Sequence, residues 1–235
     1  MSDSPIAMEH GQHGPELRHH FATAEQQRDA ASLGMWLFLG TEIMFFGGMF
    51  CAYLIYRLWY FNEFAAGSRS LDIRLGTINT IVLICSSLTV ALGVRAAQMG
   101  KRKLLVILLI LTLIFGLAFL GIKGVEWYAK YKEHHIPGPS FDASDLVRDY
   151  PQIHIDQSHE QIYFSLYFAM TGLHALHMII GVGIFAYLLY HAAKGRYTPE
   201  YYTPIEMGGL YWHFVDVVWI YLFPLLYLID RKPLG

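Results

Sequence analysis

"LLVILLILTLIFGLAFLGI" occupies residues 104–122 and carries no charged side chain, no histidine and no proline. A helix rises about 1.5 Å per residue, so about 20 apolar residues cross the hydrocarbon of a bilayer. Lys101, Arg102 and Lys103 stand before this run, and Glu126, Trp127 and Tyr128 follow it. Charges and aromatics at the two ends are the signature of the membrane–water boundary. The run reads as a membrane-spanning helix that continues amphipathically to 128. With no water available, a segment in hydrocarbon must satisfy its own backbone, which selects helix over strand.

Four other stretches meet the same requirement, at 33–56, 77–97, 162–190 and 205–229. The fourth span, 162–190, is long enough to tilt. The fifth contains Pro224, which is expected to bend it. The composition agrees, with 54% hydrophobic and only 15% charged residues, against about a quarter charged in soluble domains. The fold class is therefore all-α: a polytopic bundle of five transmembrane helices over residues 33–235. A net charge of −2 and the lack of a basic stripe exclude a nucleic-acid-binding face.

Residues 1–32 are polar and read as a flexible tail. They carry His10, His13, His19 and His20, and no basic segment followed by an apolar core that would mark a secretory signal. Cys51 and Cys85 lie in apolar runs, form no CxxC pair, and read as small buried apolar residues. Residues 98–103 and 191–204 make short connections carrying Lys101, Arg102, Lys103, Lys194 and Arg196; residues 129–158 make a long loop with Pro137 and Pro139. The dense basic loop after the second span favours a cytoplasmic N-terminus and a periplasmic C-terminus.

A charge at the bilayer centre costs at least about 2.5 kcal/mol, so ionisable residues inside spans have a partner or a task. These are Glu42, His174, His177, His213 and Asp216, with Glu126 and Glu206 nearer the span ends. Counted along each helix, Glu42, His213, Asp216 and His177 fall roughly 12–20 Å from one end, in one stratum. His213 and Asp216 share a helix face, as do His174 and His177. Gly172 and Ala175 beside the latter pair permit close helix contact. A polar seam between the fourth and fifth spans follows. It can serve as interhelical hydrogen bonding, as haem or metal ligation, or as a proton relay. Structural bonding is the preferred reading, because the histidines are few and the second span offers no ionisable residue before Arg95. Glu42 has no basic neighbour in sequence; it reads as a functional carboxyl or as a hydrogen bond to a neighbouring helix.

Three stretches then carry a resemblance: "LGMWLFLGTEIMFFGGMF" at 33–50, "TGLHALHMIIGVG" at 171–183 and "YWHFVDVVWIYLFPLLYL" at 211–228. With "EWY" at 126–128 and "PIEMGG" at 204–209, they resemble subunit III of the haem-copper respiratory oxidases. The resemblance covers most of the chain after residue 32, apart from the 129–158 loop. It implies an accessory subunit that holds no cofactor. Haem and copper, electron transfer and oxygen reduction belong to partner subunits, with cytochrome c as donor to the complex. It implies packing against oxidase subunit I, assembly with subunit II, bound phospholipid in a cleft, and support of proton uptake in a bacterial cytoplasmic membrane.

Residue by residue, Glu42 matches the family's intramembrane carboxylate near the lipid cleft. His177, His213 and Asp216 match its interhelical polar residues; His174, Glu206 and Glu126 join that network. Lys194 and Arg196 fall in the loop that holds lipid headgroups in relatives, and their chemistry suits phosphate. Longer members of the family have seven helices, and this chain lacks the first two. Either the cleft is reduced or another subunit supplies that wall. Quinol oxidases and nitric oxide reductases have five-helix relatives of the same subunit.

Overall fold

The computed structural model describes residues 21–149 and 155–229. It contains the helices α1 (Ala24–Trp59), α2 (Phe61–Ser70), α3 (Ile73–Gln98), α4 (Arg102–Lys132), α5 (Ser144–Asp149), α6 (Gln157–Ala193) and α7 (Thr203–Tyr227). Five of them, α1, α3, α4, α6 and α7, are long and apolar enough to cross a membrane.

The helices are longer than the apolar runs inside them. α1 begins at Ala24, nine residues before the apolar stretch, because Thr23 caps it: its hydroxyl accepts from the Gln26 amide at 3.1 Å. Residues 24–32, read from sequence as part of a tail, are thus helical; the four tail histidines lie outside the described residues. α6 begins at Gln157, with Asp156 accepting from the Ser158 amide at 2.8 Å. The 129–158 connection likewise holds the last turn of α4, the short α5 and the first turn of α6. Turns of helix outside hydrocarbon need only ordinary capping, so polar residues extend them freely.

α7 packs against α1, α3 and α6; α6 also contacts α4 and α1, and α3 and α4 form a hairpin. The α3–α4 turn is closed by Gly100 at φ 67° and a bond from the Lys101 amide to the Ala96 carbonyl at 2.9 Å. A residue in the left-handed region is what such a helix end requires, and glycine adopts it without strain. Arg102 donates to the Ala192 and Ala193 carbonyls at the end of α6. The two short basic connections therefore sit at one end of the bundle.

Outward faces are apolar. Leu37, Met44 and Leu58 on α1, Ile81 and Leu88 on α3, Ile107 and Leu117 on α4 and Ile179 on α6 are all exposed. Cys51 and Cys85 are exposed as well, not buried as read from sequence; in a helix that faces lipid, exposure imposes no penalty on a small apolar thiol. The interior is also mostly apolar, but it encloses polar side chains such as Ser86, Thr112, Lys123, Glu126, His174 and Asp216. This pattern suits a solvent as apolar as leucine, in which helices are joined by close packing and hydrogen bonds.

Trp212 of α7 shows both. It is fully buried and donates its indole N–H to the Ser86 hydroxyl of α3 at 2.9 Å. Its six-membered ring lies against Gly116 of α4 and Gly181 of α6: a Cβ on Gly116 would stand 2.7 Å from Trp212 Cη2, and one on Gly181 3.0 Å from Cζ3. One side chain therefore touches three helices, at a place where two of them can offer only glycine. At the far end of α7, Tyr53 of α1 donates to the Leu225 carbonyl at 2.5 Å and Tyr163 of α6 to the Leu226 carbonyl at 3.0 Å. These are carbonyls that the helix end leaves without an intrahelical partner.

Candidate functional site

Glu42 and His177 meet where α1, α6 and α7 converge. His177 Nε2 lies 3.2 Å from Glu42 Oε2. The other ring nitrogen, Nδ1, lies 2.8 Å from the Leu173 carbonyl, one turn back in the same helix. A carbonyl only accepts, so Nδ1 carries a hydrogen and donates it. Nε2 faces the Glu42 carboxyl at ion-pair distance. Phe46 packs edge-on to the His177 ring at 5.3 Å, and Tyr211 of α7 donates to the His177 carbonyl at 2.9 Å. Exposed Ile43, Met44 and Phe45 flank Glu42, so the pair sits at the lipid-facing edge of the bundle.

A second polar cluster is enclosed. Lys123 of α4 is 2% exposed and donates to Tyr227 Oη at 2.7 Å, Tyr167 Oη at 3.0 Å and Glu126 Oε1 at 3.2 Å. Both tyrosines donate in turn to Glu126 Oε1, at 2.6 Å from Tyr167 and 2.5 Å from Tyr227. The ammonium has three donors and all three are used. It also lies over the Tyr167 ring at 4.8 Å and the Trp219 ring at 5.2 Å. The cluster joins α4, α6 and α7. Glu126 was legible in the sequence; Lys123 was not singled out, although an opposite charge three residues before Glu126 on one helix was the available signal.

The remaining expected residues are divided among separate neighbours. His213 pairs with Ser87 of α3, at 2.7 Å from its Nδ1. Asp216, 2% exposed, lies near the same serine, yet among the described residues neither carboxylate oxygen meets hydrogen-bond geometry with a partner. The two residues do share a face, but that face meets α3, so His213 and Asp216 do not bond to each other. His174 is buried against Phe119 and Trp219, with ring centroids 5.3 Å from each, and among the described residues neither ring nitrogen has a hydrogen-bond partner. Glu206 is half-buried in the first turn of α7, where the helix dipole favours an acid. Hydroxyls of α3, unweighed in the sequence reading, join that helix to its neighbours: Trp219 donates to Thr80 at 3.1 Å, and Thr89 bonds Thr112 of α4 at 2.8 Å.

Lys194 and Arg196 are exposed at the end of α6. Lys194 lies over the Tyr190 ring and bonds its hydroxyl. Among the described residues, no three His, Cys, Asp or Glu side chains converge as a metal centre would require.

Comparison with known proteins adds a second line. The family model described as "Cytochrome c oxidase subunit III" matches residues 13–134 and 150–230. A "Probable cytochrome c oxidase subunit 3" of Nocardia farcinica is 32% identical over 198 residues, covering 84% of this chain and 87% of that protein. "Quinol oxidase subunit 3" of Bacillus subtilis is 30% identical over 227 residues, 94% of this chain and 97% of that protein. "Cytochrome c oxidase subunit 3" of the fish Oncorhynchus mykiss is 32% identical over 200 residues, 83% of this chain but 67% of its own longer one.

Proposed function

Because the chain belongs to the cytochrome c oxidase subunit III family, and so is an integral membrane subunit of a haem-copper oxidase, we propose that it serves a complex that takes electrons from cytochrome c. In this reading it is an accessory subunit without a cofactor of its own. Haem and copper, and the reduction of oxygen, belong to its partners. It packs directly on subunit I, with subunit II in the same complex, binds phospholipid, and supports proton uptake. Relatives from Nocardia and Thermostichus carry the cytochrome c designation. The Bacillus relative, matched along nearly its whole length, keeps quinol as the alternative donor.

The observation that carries the supporting role is the Glu42–His177 pair. It is an ionisable pair inside the span, set where three helices meet, with the exposed apolar side chains Ile43, Met44 and Phe45 beside it. A purely architectural pair would be expected in the enclosed interior, where the Lys123–Glu126 cluster already performs that task. The bacterial relatives support a bacterial cytoplasmic membrane, and the basic 98–103 and 194–196 segments at one end of the bundle support a cytoplasmic N-terminus and a periplasmic C-terminus. Lys194 and Arg196 at that end are candidates for lipid phosphate.

The test is purification in mild detergent through a tag on this chain, with a reduced-minus-oxidised spectrum. Haem a and copper on larger co-purifying subunits are expected. A colourless solitary protein from a well-preserved preparation counts against the reading. Within the assembled complex, Glu42→Gln should preserve assembly and abolish labelling by a carboxyl-specific reagent in the membrane; labelling that persists unchanged removes Glu42 from the proposed role.

A further inference from the structure

Trp219 of α7 is fully buried. Among the described residues, seven polar atoms without a hydrogen-bond partner belong to four side chains grouped about it: both side-chain atoms of Asn79, both ring nitrogens of His174, both carboxylate oxygens of Asp216, and Oε2 of Glu126. None of the four residues is more than 3% exposed. We propose that they bind water, about two or three molecules enclosed between α3, α4, α6 and α7, since a buried water makes about three hydrogen bonds.

The grouping rests on contacts with Trp219 and on helix register. The His174 ring lies 5.3 Å from the Trp219 ring, centroid to centroid. Lys123, paired with Glu126 at 3.2 Å, lies 5.2 Å from the same ring. Asp216 stands three residues before Trp219, on one face of α7. Asn79 shares a stripe of α3 with Gly76 and Ser86, three and seven residues away; Gly76 faces Tyr227 and Ser86 faces Trp212, both of α7. Next to Asn79, Thr80 accepts the Trp219 indole N–H at 3.1 Å.

The protein donors nearby are committed. Trp219 has one N–H, and Thr80 takes it. Tyr167 and Tyr227 both donate to Glu126 Oε1, not to Oε2. The three donors of Lys123 go to those two tyrosines and to Glu126 Oε1. Thr171 donates to the Tyr167 carbonyl at 2.6 Å. Ser87 has one hydroxyl hydrogen, and His213 Nδ1 stands 2.7 Å from its oxygen. Orphaned polar atoms in a buried site call for partners from outside the chain.

The orphans are of both kinds. The carboxyl oxygens and Asn79 Oδ1 accept, Asn79 Nδ2 donates, and a neutral imidazole does one of each. Water meets both needs in one small molecule. A cation would meet the Lys123 ammonium, and the described residues form no metal-ligand set; an anion would meet two acids. Bound water joins the Lys123–Glu126 cluster to the Asp216 face of α7, so the two polar regions of the interior form one network.

The experiment is X-ray radiolytic footprinting of the full chain in detergent, read by mass spectrometry. Radiolysis of a bound water oxidises the side chains beside it even where bulk solvent does not reach. Tyr227 should be oxidised several-fold faster than Tyr53, a side chain of the same type and equally buried, whose hydroxyl is tied to the Leu225 carbonyl; Trp219 should be oxidised as well. His174→Phe and Asn79→Leu, each exchanging a water-binding side chain for an apolar one, should each slow the oxidation of Trp219. Either variant serves should the other not fold. Tyr227 and Trp219 as protected as Tyr53 in the wild-type chain overturn the site. Oxidation of Trp219 at the wild-type rate in a folded variant also overturns it, because the oxidation would then come from a general loosening of the bundle.

Discussion

Replacing Lys123 by methionine should cost the bundle about 2–4 kcal/mol. The lower bound counts the three hydrogen bonds of the ammonium, at about 0.6 kcal/mol each for membrane interiors. The upper bound approaches the roughly 3–5 kcal/mol lost when one member of a buried ion pair is removed and its partner stays. Exposure of 3% for both side chains leaves water no means of screening the orphaned charge. A Lys123→Met/Glu126→Gln double variant removes the orphan too, so it should be less damaged than Lys123→Met alone. The assay is thermal unfolding of the purified protein in detergent, for the two single variants and the double, read as a double-mutant cycle. A coupling of at least about 1 kcal/mol is expected, the range for residues that share partners. Additive losses would show that Lys123 and Glu126 act independently and would refute the cluster as a unit that joins α4, α6 and α7.

Three further outcomes follow from the packing. Gly116→Ala places a methyl 2.7 Å from Trp212 and should destabilise the fold by about 1–3 kcal/mol, as overpacking does; a Gly116→Ala chain as heat-stable as wild type would mean that the indole has room to shift. Ser87→Ala should cost about 1 kcal/mol, since His213 loses its bond, whereas Asp216→Asn, which removes a buried carboxyl without a partner, should change stability by no more than about 0.5 kcal/mol or improve it; the reverse order in a melting experiment would return the partner of His213 to Asp216. Tyr53→Phe should cost about 1 kcal/mol and speed amide exchange in the last turn of α7, where Leu225 would lose its donor; unchanged exchange there would show that this turn needs no tie to α1.

The five long helices were legible because hydrocarbon imposes a length and a composition that few other environments select, and 104–122 satisfies both. α2 was not: "FNEFAAGSRS" is short, of neutral hydropathy, and held by contacts with α6 that no local pattern announces. The helix ends were legible only where the apolar run ends, since Thr23 and Asp156 act as caps through geometry that serine, threonine or aspartate in any loop could also adopt. For the site, a period of 3.6 placed His213 and Asp216 on one face and His174 and His177 on another. It could not tell which helix each face meets. His177 found Glu42 rather than a histidine on α7, and His213 found Ser87, because pairing is decided by the arrangement of helices. Lys123 escaped notice for a related reason. A lysine one residue beyond an apolar run resembles a boundary charge that reaches for water; only the tyrosines of α6 and α7 turn it inward.

The indole held between Gly116 and Gly181 has a consequence for how the protein is made. The helix that bears it, α7, leaves the ribosome after the other four long helices. Until then α3 presents Ser86, Ser87 and Thr80 without Trp212, His213 or Trp219, and Lys123 and Glu126 lack Tyr227. The first four membrane helices can enter the bilayer in order, but their interior faces stay unmatched. Closure of the interior therefore waits for α7. A chain interrupted before residue 203 keeps Ser86, Ser87, Thr80, Lys123 and Glu126 without these partners from α7.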